Sequence, residues 1–313
     1  MPELPEVECL ARAVREETHG CRFTGVNFLR PDLREPMPID AIRSALVGAN
    51  LRSVRRRSKY LLIETDRGTA ILHLGMSGQL LSMDSPDPVK PHTHVIFELR
   101  RKDSSAAPQN DGLTQNDGLT QNDGLAQDAG LAQNDGGNPK YLHFVDPRRF
   151  GRLTAVPAGT DLSAHPWLSE LGPEPLEITA DALAEHLWRK SRGRKAAVKP
   201  FIMDGAVVVG VGNIYASESL YLAGIRPGRA AGRVTRQEYR ILANAIQTVL
   251  GAAIEAGGTS FRDYLHSDGS EGSYALQLNV YGRSGEACRK CLSPVRETRH
   301  LNRATYFCGT CQK

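Results

Sequence analysis

Four cysteines near the C-terminus, Cys288, Cys291, Cys308 and Cys311, restrict what this chain can fold into more than any other feature. They stand as C-x2-C-x16-C-x2-C, a spacing that brings two pairs of thiolates onto one tetrahedral ion. Four thiolates close the coordination sphere of zinc and leave no position for a substrate, so one Zn2+ held this way is structural. The competing reading is two disulfides, which would need an oxidising compartment that nothing else in the sequence indicates. Cys9 and Cys21 stand alone and read as reduced, buried or half-buried thiols. Residues 273–313 are thus expected to be a zinc finger.

The 313-residue length suggests two larger domains ahead of that module. After Pro5, the residues Val7, Leu10, Ala11 and Val14 have helical spacing, and Gly20 ends a helix expected to run to about Thr18. Short β-like stretches follow at 54–64, 70–74, 79–83, 94–100 and 140–145, separated by turn residues. Residues 1–156 are therefore read as a β-sandwich domain with an N-terminal helix. The Pro- and Gly-rich stretch 157–175 reads as a linker. Helical patterns then appear at 180–190, 200–204, 213–223 and 235–256, which gives a helical domain over 176–272. The fold class expected is α+β.

One segment obeys neither period. Residues 109–137 repeat every six residues (QNDGLT, QNDGLT, QNDGLA, QDAGLA, QNDGG) and carry a turn-forming Asn-Asp or Asp in each unit. With at most one leucine per unit, the repeat cannot bury enough surface to order the chain, so 102–139 is expected to be a disordered insertion, with a short β-solenoid as the alternative. The repeat also distorts the charge balance. It holds five aspartates and no basic residue, so the net +4 of the whole chain becomes +9 without it. That balance suits a polyanion partner. No apolar run approaches the ~20 residues of a membrane span. The acids Glu3, Glu6 and Glu8 are unlike a signal peptide, and a cytoplasmic protein is expected.

The N-terminus carries the most reactive candidate. Removal of Met1 leaves Pro2 as a secondary amine, which condenses with an aldehyde-like carbon to an iminium ion. An α-amino group titrates near ~8, against ~10.4 for lysine, so far more of it is nucleophilic at neutral pH. Glu3 places a carboxyl group beside it. Read alone, the same residues are equally an ordinary helix start, where proline is favoured.

MPELPEVE, SKYLLIE, HLGMSG, DPRRFG, VVVGVGNIYASE and the cysteine module together resemble the formamidopyrimidine-DNA glycosylases over 1–101 and 140–313. The repeat has no counterpart there. The resemblance implies a bifunctional glycosylase and abasic-site lyase of base excision repair, a monomer that binds damaged double-stranded DNA near the bacterial-type nucleoid. Its substrates would be 8-oxoguanine and formamidopyrimidines, with strand cleavage by β- and δ-elimination. It also implies roles residue by residue. Pro2 would be the nucleophile, Glu3 the acid that protonates the sugar ring oxygen, and Lys59 an acid–base group near the lesion phosphates. Arg303 would assist the last cleavage, and Glu6 would be a structural carboxylate. Met76 and Phe150 would be wedges, with Arg148 facing the orphaned base. His92, Lys195 and Asn213 would grip phosphates, with Lys199 read beside them. The helix start at Val211-Gly212-Asn213 belongs to a helix–two-turn–helix element and suits an anion. The loop over 257–274 is expected to face the damaged base. Alternatives are an endonuclease VIII-like activity on oxidised pyrimidines, or a catalytically dead zinc-dependent DNA-binding protein. Finally, 94–100 and 140–145 read as a hairpin with His92 and the 148–150 tip at one end, which puts the acidic insertion at the other, away from DNA.

Overall fold

The structure, a computed structural model, describes residues 2–101, 139–258 and 277–313. The chain opens with α1 (Leu4–Glu17), whose Leu4, Val7, Leu10, Ala11 and Val14 recur at helical intervals and are buried. The Thr18 N–H closes the helix on Val14, and Gly20 turns the chain at φ +72° into β1 (Cys21–Phe28). Next come α2 (Ile39–Leu46), β2 (Leu51–Arg57), β3 (Tyr60–Thr65), β4 (Gly68–His73), β5 (Gln79–Met83), β6 (Thr93–Arg101), β7 (Lys140–Val145) and β8 (Arg152–Pro157). All pairings among these strands are antiparallel, in the orders β1-β6-β7-β5 and β2-β3-β4-β8. The two sheets face each other across one core that includes Phe23, Val54, Leu61, Phe97, Phe144 and Leu153. This is the expected β-sandwich.

Several details depart from the sequence reading. The stretch 54–64 is not one strand: Arg57 pairs with Tyr60, so Ser58 and Lys59 form a tight turn between β2 and β3. Ser58 there adopts a left-handed φ of +57°, which costs a side-chain-bearing residue about 1–2 kcal/mol. Elements β1, α2 and β8 are additional to the expected stretches, and in β1 a bulge between Phe23 and Gly25 interrupts the alternation.

The helical region comprises α3 (Ala180–Ser191), α4 (Val198–Ile202), α5 (Asn213–Leu222) and α6 (Arg236–Glu255). Helix α4 starts two residues before the expected 200–204, leaving Pro200 in its first turn, where no N–H is needed. Thr235 caps α6, and Glu238 reaches back to the Thr235 N–H at 2.8 Å. Residues 214–220 of α5 are all buried, and the helix lies between α6 and the C-terminal hairpin β9 (Val295–His300) and β10 (Arg303–Cys308). Residues 157–175, read as a linker, pack onto the sandwich: Leu168 touches Leu62 and Ile71, and Trp167 stacks on Tyr60.

Helix α1 links the two cores. Val7, Leu10, Ala11 and Val14 belong to the sandwich core, while Leu4 belongs to the helical core with Val211, Tyr215 and Leu250. The first residues of the chain are thereby locked between the layers. No helix among the described residues is long and apolar enough to cross a membrane. The repeat, Met1 and the loop from 259 to 274 lie outside the described residues.

Leu99 pairs with Lys140 at the far end of the β6–β7 hairpin, while Thr93 pairs with Val145 at the end next to His92. The insertion therefore starts at the end remote from the 146–151 turn. Shortening a loop from about 38 residues to about three should add roughly 2 kcal/mol, at ~0.6 per doubling. Replacing 102–139 by Asn-Gly should accordingly raise the urea midpoint with an unchanged activity. A large loss of activity in a folded deletion variant would show that the repeat has a role of its own.

Candidate active site

The chain start is held by backbone bonds and two carboxyl groups. The Leu4 N–H donates to Gly210 O at 3.1 Å. The Glu3 carboxyl, almost fully buried, accepts from the N–H groups of Ile214 at 3.1 Å and Tyr215 at 3.4 Å. These belong to the first turn of α5, where N–H groups lack helical partners and the helix dipole favours negative charge. The anion expected at this helix start is thus in part internal. Gly212 makes the seat possible, because a Cβ there would lie 2.1 Å from the Glu3 Cδ. Glu6 braces the arrangement, accepting from the Glu3 N–H at 2.8 Å and from the Tyr215 hydroxyl at 2.5 Å. Pro2 is buried beside them.

Lys59 reaches this group from the β2–β3 turn. Burial raises the Glu3 pKa, the Lys59 charge opposes that rise, and Glu6 adds to it. Burial lowers the Lys59 pKa, with Glu3 opposing and Arg303 assisting. The two groups are pushed toward each other in proton affinity, which suits exchange of protons with a reacting molecule. Neighbouring His73 is driven down to about 4 by burial and by Lys59, so it is neutral and accepts from the Gly75 N–H.

Sequence reasoning missed the residue that holds the Lys59 turn. Glu174, buried in the segment before α3, accepts from the Ser58 N–H at 2.6 Å, Arg57 at 2.8 Å and Arg56 at 2.7 Å. Arg56 also donates to Glu8 on α1. Charge-assisted bonds of this kind contribute about 1.5–3 kcal/mol each and offset the left-handed Ser58. Nothing in the run Arg55-Arg56-Arg57 signals a partner more than a hundred positions away.

A second missed carboxylate organises two exposed tips. Asp146, fully buried, accepts from the Ser77 hydroxyl at 2.8 Å, the Gly151 N–H at 2.7 Å and the Arg148 N–H at 3.3 Å. The Met76 turn and the 147–151 turn are thereby tied together. Gly75 is required at their contact, since a Cβ there would lie 2.5 Å from the Phe150 carbonyl carbon. Met76 is 40% and Phe150 39% exposed, unusual for large apolar side chains, and the Arg148 guanidinium lies 4.9 Å from the Phe150 ring centre. His92 is next to this assembly, its carbonyl accepting from the Asp146 N–H.

The remaining candidates lie on α5, on the β9–β10 hairpin and between α3 and α4. Asn213, first residue of α5, donates to the Tyr281 hydroxyl at 3.3 Å, while its buried Oδ1 has no partner among the described residues. Arg303 is exposed just after the Leu301-Asn302 turn of the β9–β10 hairpin and acts electrostatically on Lys59 and Lys199. Lys195 is exposed between α3 and α4, and no described contact joins it to the Glu3 group. Lys199 departs from its expected place on a phosphate track. It is buried, and its ammonium donates to Ala304 O at 3.0 Å and the Thr305 hydroxyl at 2.9 Å, tying α4 to β10.

The four cysteine sulfurs lie within 4.8 Å of one another, with Cys288 and Cys311 at 3.9 Å and Cys291 and Cys308 at 3.4 Å. A tetrahedral ion with bonds of ~2.3 Å spaces its sulfurs by about 3.8 Å, so the quartet fits zinc. The surrounding core amounts to Val280, Val295, Cys288 and Cys308, which is too small to hold such a module alone.

Comparison with known proteins gives one consistent family. Residues 1–112 match the model of the formamidopyrimidine-DNA glycosylase N-terminal domain, and residues 171–264 match that of the formamidopyrimidine-DNA glycosylase H2TH domain. The formamidopyrimidine-DNA glycosylase of Thioalkalivibrio sulfidiphilus is 44% identical over the full length of both chains. Among solved structures, the MutM (Fpg) protein of Thermus thermophilus is 32% identical, with a TM-score of 0.77 over 99% of this chain and 98% of that one. A Lactococcus lactis FPG mutant complexed with Fapy-dG-containing DNA is 25% identical, with a TM-score of 0.78 over the whole of both chains.

Two outcomes follow from this geometry. Gly212→Ala should displace the Glu3 carboxyl and lower the unfolding free energy by about 1–3 kcal/mol. Gly205→Ala, whose Cβ would meet only Leu171 at 3.6 Å, should be close to neutral in the same urea titration. Lys199 gives a pH test. Burial lowers its pKa to about 8, so the unfolded chain holds more protons between there and the ordinary lysine range. Stability contributed at this site therefore rises as pH increases through that window. Wild type measured against Lys199→Met from pH ~7.5 to ~10 should show that rise, and parallel curves would refute it.

Proposed function

The chain belongs to the formamidopyrimidine-DNA glycosylase family, and on that footing we propose that Pro2, Glu3 and Lys59 form the reacting centre of a DNA glycosylase that also cleaves the strand. The observation that supports this most is the seating of the chain start, with Pro2 buried beside Glu3 on the first turn of α5 and within the field of Lys59. With Met1 removed, the proline nitrogen is a secondary amine able to attack C1′ of a damaged nucleotide. The glycosidic bond breaks, the base leaves with its electron pair, and the proton on the alkylated nitrogen passes to the departing base. A proton from Glu3 to O4′ opens the C1′–O4′ bond, leaving an iminium between the proline nitrogen and C1′. Loss of a C2′ proton then expels the 3′ phosphate, and a further elimination expels the 5′ phosphate. Lys59 serves as the acid–base group for these transfers, and Arg303 assists the last one.

A nucleotide inside a duplex cannot reach buried Pro2, so it must first be turned out of the stack. Met76 and Phe150, held at exposed tips by Asp146, would fill the gap, with Arg148 facing the unpaired base. His92, Lys195 and Asn213 would hold the backbone phosphates. Cys288, Cys291, Cys308 and Cys311 would hold one Zn2+, which supplies roughly 10–16 kcal/mol of folding energy and takes no part in the chemistry. We assign 1–156 to the catalytic sandwich, 157–175 to a linker, 176–272 to the helix–two-turn–helix domain and 273–313 to the finger. The substrates proposed are 8-oxoguanine and formamidopyrimidines in duplex DNA, and the place of action is the bacterial-type nucleoid.

Borohydride reduction during turnover should attach DNA to the peptide that begins at Pro2, as read by mass spectrometry. An adduct on Lys59 with none on Pro2 would overturn the assignment. Glu3→Gln should lower base excision by about 100-fold or more while retaining lyase activity on a preformed abasic site, whose base is already gone.

A further inference from the structure

Helix α5 touches the finger at three levels as well as seating Glu3 at its start. Asn213 donates to Tyr281. Glu218, buried in mid-helix, accepts from the backbone N–H groups of Asn279 at 2.8 Å, Val280 at 2.9 Å and Tyr281 at 2.9 Å. At the last turn the Tyr221 hydroxyl lies 3.3 Å from the Cys288 sulfur. Cys288 is fully buried, and the N–H groups of Lys290 and Cys291 also point at its sulfur. Those two donors belong to the finger's own loop. Tyr221 reaches the sulfur from another domain, 67 positions earlier in the chain.

We propose that Tyr221 is a positioning residue for the metal centre: its hydroxyl donates to the Cys288 thiolate and ties metal retention in the finger to the last turn of α5. The inference rests on the zinc reading of the four cysteines. A thiolate bound to a metal has no proton to give, so in the loaded protein the hydroxyl is the donor. Four thiolates around one divalent ion leave a net charge of −2 in a buried place, and a donor that takes up part of this charge stabilises the centre. Outer partners of metal ligands commonly change metal affinity by about 10–100-fold when removed. The bond also fixes the finger on the helix whose opposite end holds Glu3, so the Cys288 side of the finger and the reacting centre share one rigid element.

The test uses the full-length zinc-loaded protein. Tyr221→Phe keeps the ring and removes only the hydroxyl. Zinc transfer to a chromogenic chelator should become about tenfold faster or more. In the cobalt-substituted protein, the thiolate-to-metal charge-transfer band should move to longer wavelength, because a sulfur that loses a donor gives up its electrons more easily. That shift reports the hydrogen bond itself, which a packing role for Tyr221 would leave unmoved. Unchanged release together with an unshifted band would overturn the proposal while leaving the zinc reading intact. Wild-type protein that binds no metal, or Cys308→Ser that retains it fully, would instead overturn the zinc reading, and this proposal with it.

Discussion

The Glu3 carboxyl on the first turn of α5 is the contact on which the rest of the arrangement depends. A chain terminus is normally the least ordered part of a protein. Here it is driven into the junction between sandwich and helices, because Leu4 supplies apolar burial on one side and α5 offers unpaired N–H groups on the other. Each fully buried leucine contributes about 1.5–3 kcal/mol. That is comparable to the cost of ordering one or two residues, at about 1–2 kcal/mol each, and the bonds to Glu3 and Leu4 add to it, so Pro2 and Glu3 are held in place.

Glu3 and its brace Glu6 are among several buried carboxyl groups that act as joints. Glu174 fixes the turn that carries Lys59, Asp146 ties the Met76 turn to the Phe150 turn, and Glu218 holds the strand of backbone leading into the finger. Burying a lone carboxylate would cost several kcal/mol, and each of these offsets the cost with several donors, most of them backbone N–H groups. Backbone donors suit such joints because their positions are set by the chain path; Glu174 adds two arginine partners to its one backbone donor. The consequence is directional precision at loops, where catalytic and binding side chains are presented.

The division of charge follows the same logic. Basic side chains on the 189–199 segment and around Arg303 remain exposed, while Lys199, a neighbour in sequence, is withdrawn to bond with β10. A basic run is thus not a uniform surface, since one lysine in it faces inward and connects two domains. The acidic repeat leaves the sandwich at the hairpin end away from His92 and the 146–151 turn, where its field opposes phosphate binding least.

The amino-acid sequence by itself determined the features that depend on local spacing. The cysteine pattern specifies a four-sulfur site because two-residue gaps place both thiolates of a pair on one ion. The apolar period of α1, the caps of α3 and α6 and the Gly20 stop are likewise properties of a few adjacent residues. The candidate residues Pro2, Glu3, Met76 and Phe150 could be named because each lies in a short motif, MPELPEVE, HLGMSG or DPRRFG, that carries the family resemblance. What only the tertiary structure decided are the contacts made across long stretches of chain. Glu174 meets Ser58 across 116 positions, Lys199 meets Thr305 across 106, and Tyr221 meets Cys288 across 67. A buried carboxylate or ammonium looks the same in sequence as an exposed one. Its partner is chosen by how sheets and helices pack, and that packing is a property of the whole hydrophobic core rather than of any local run.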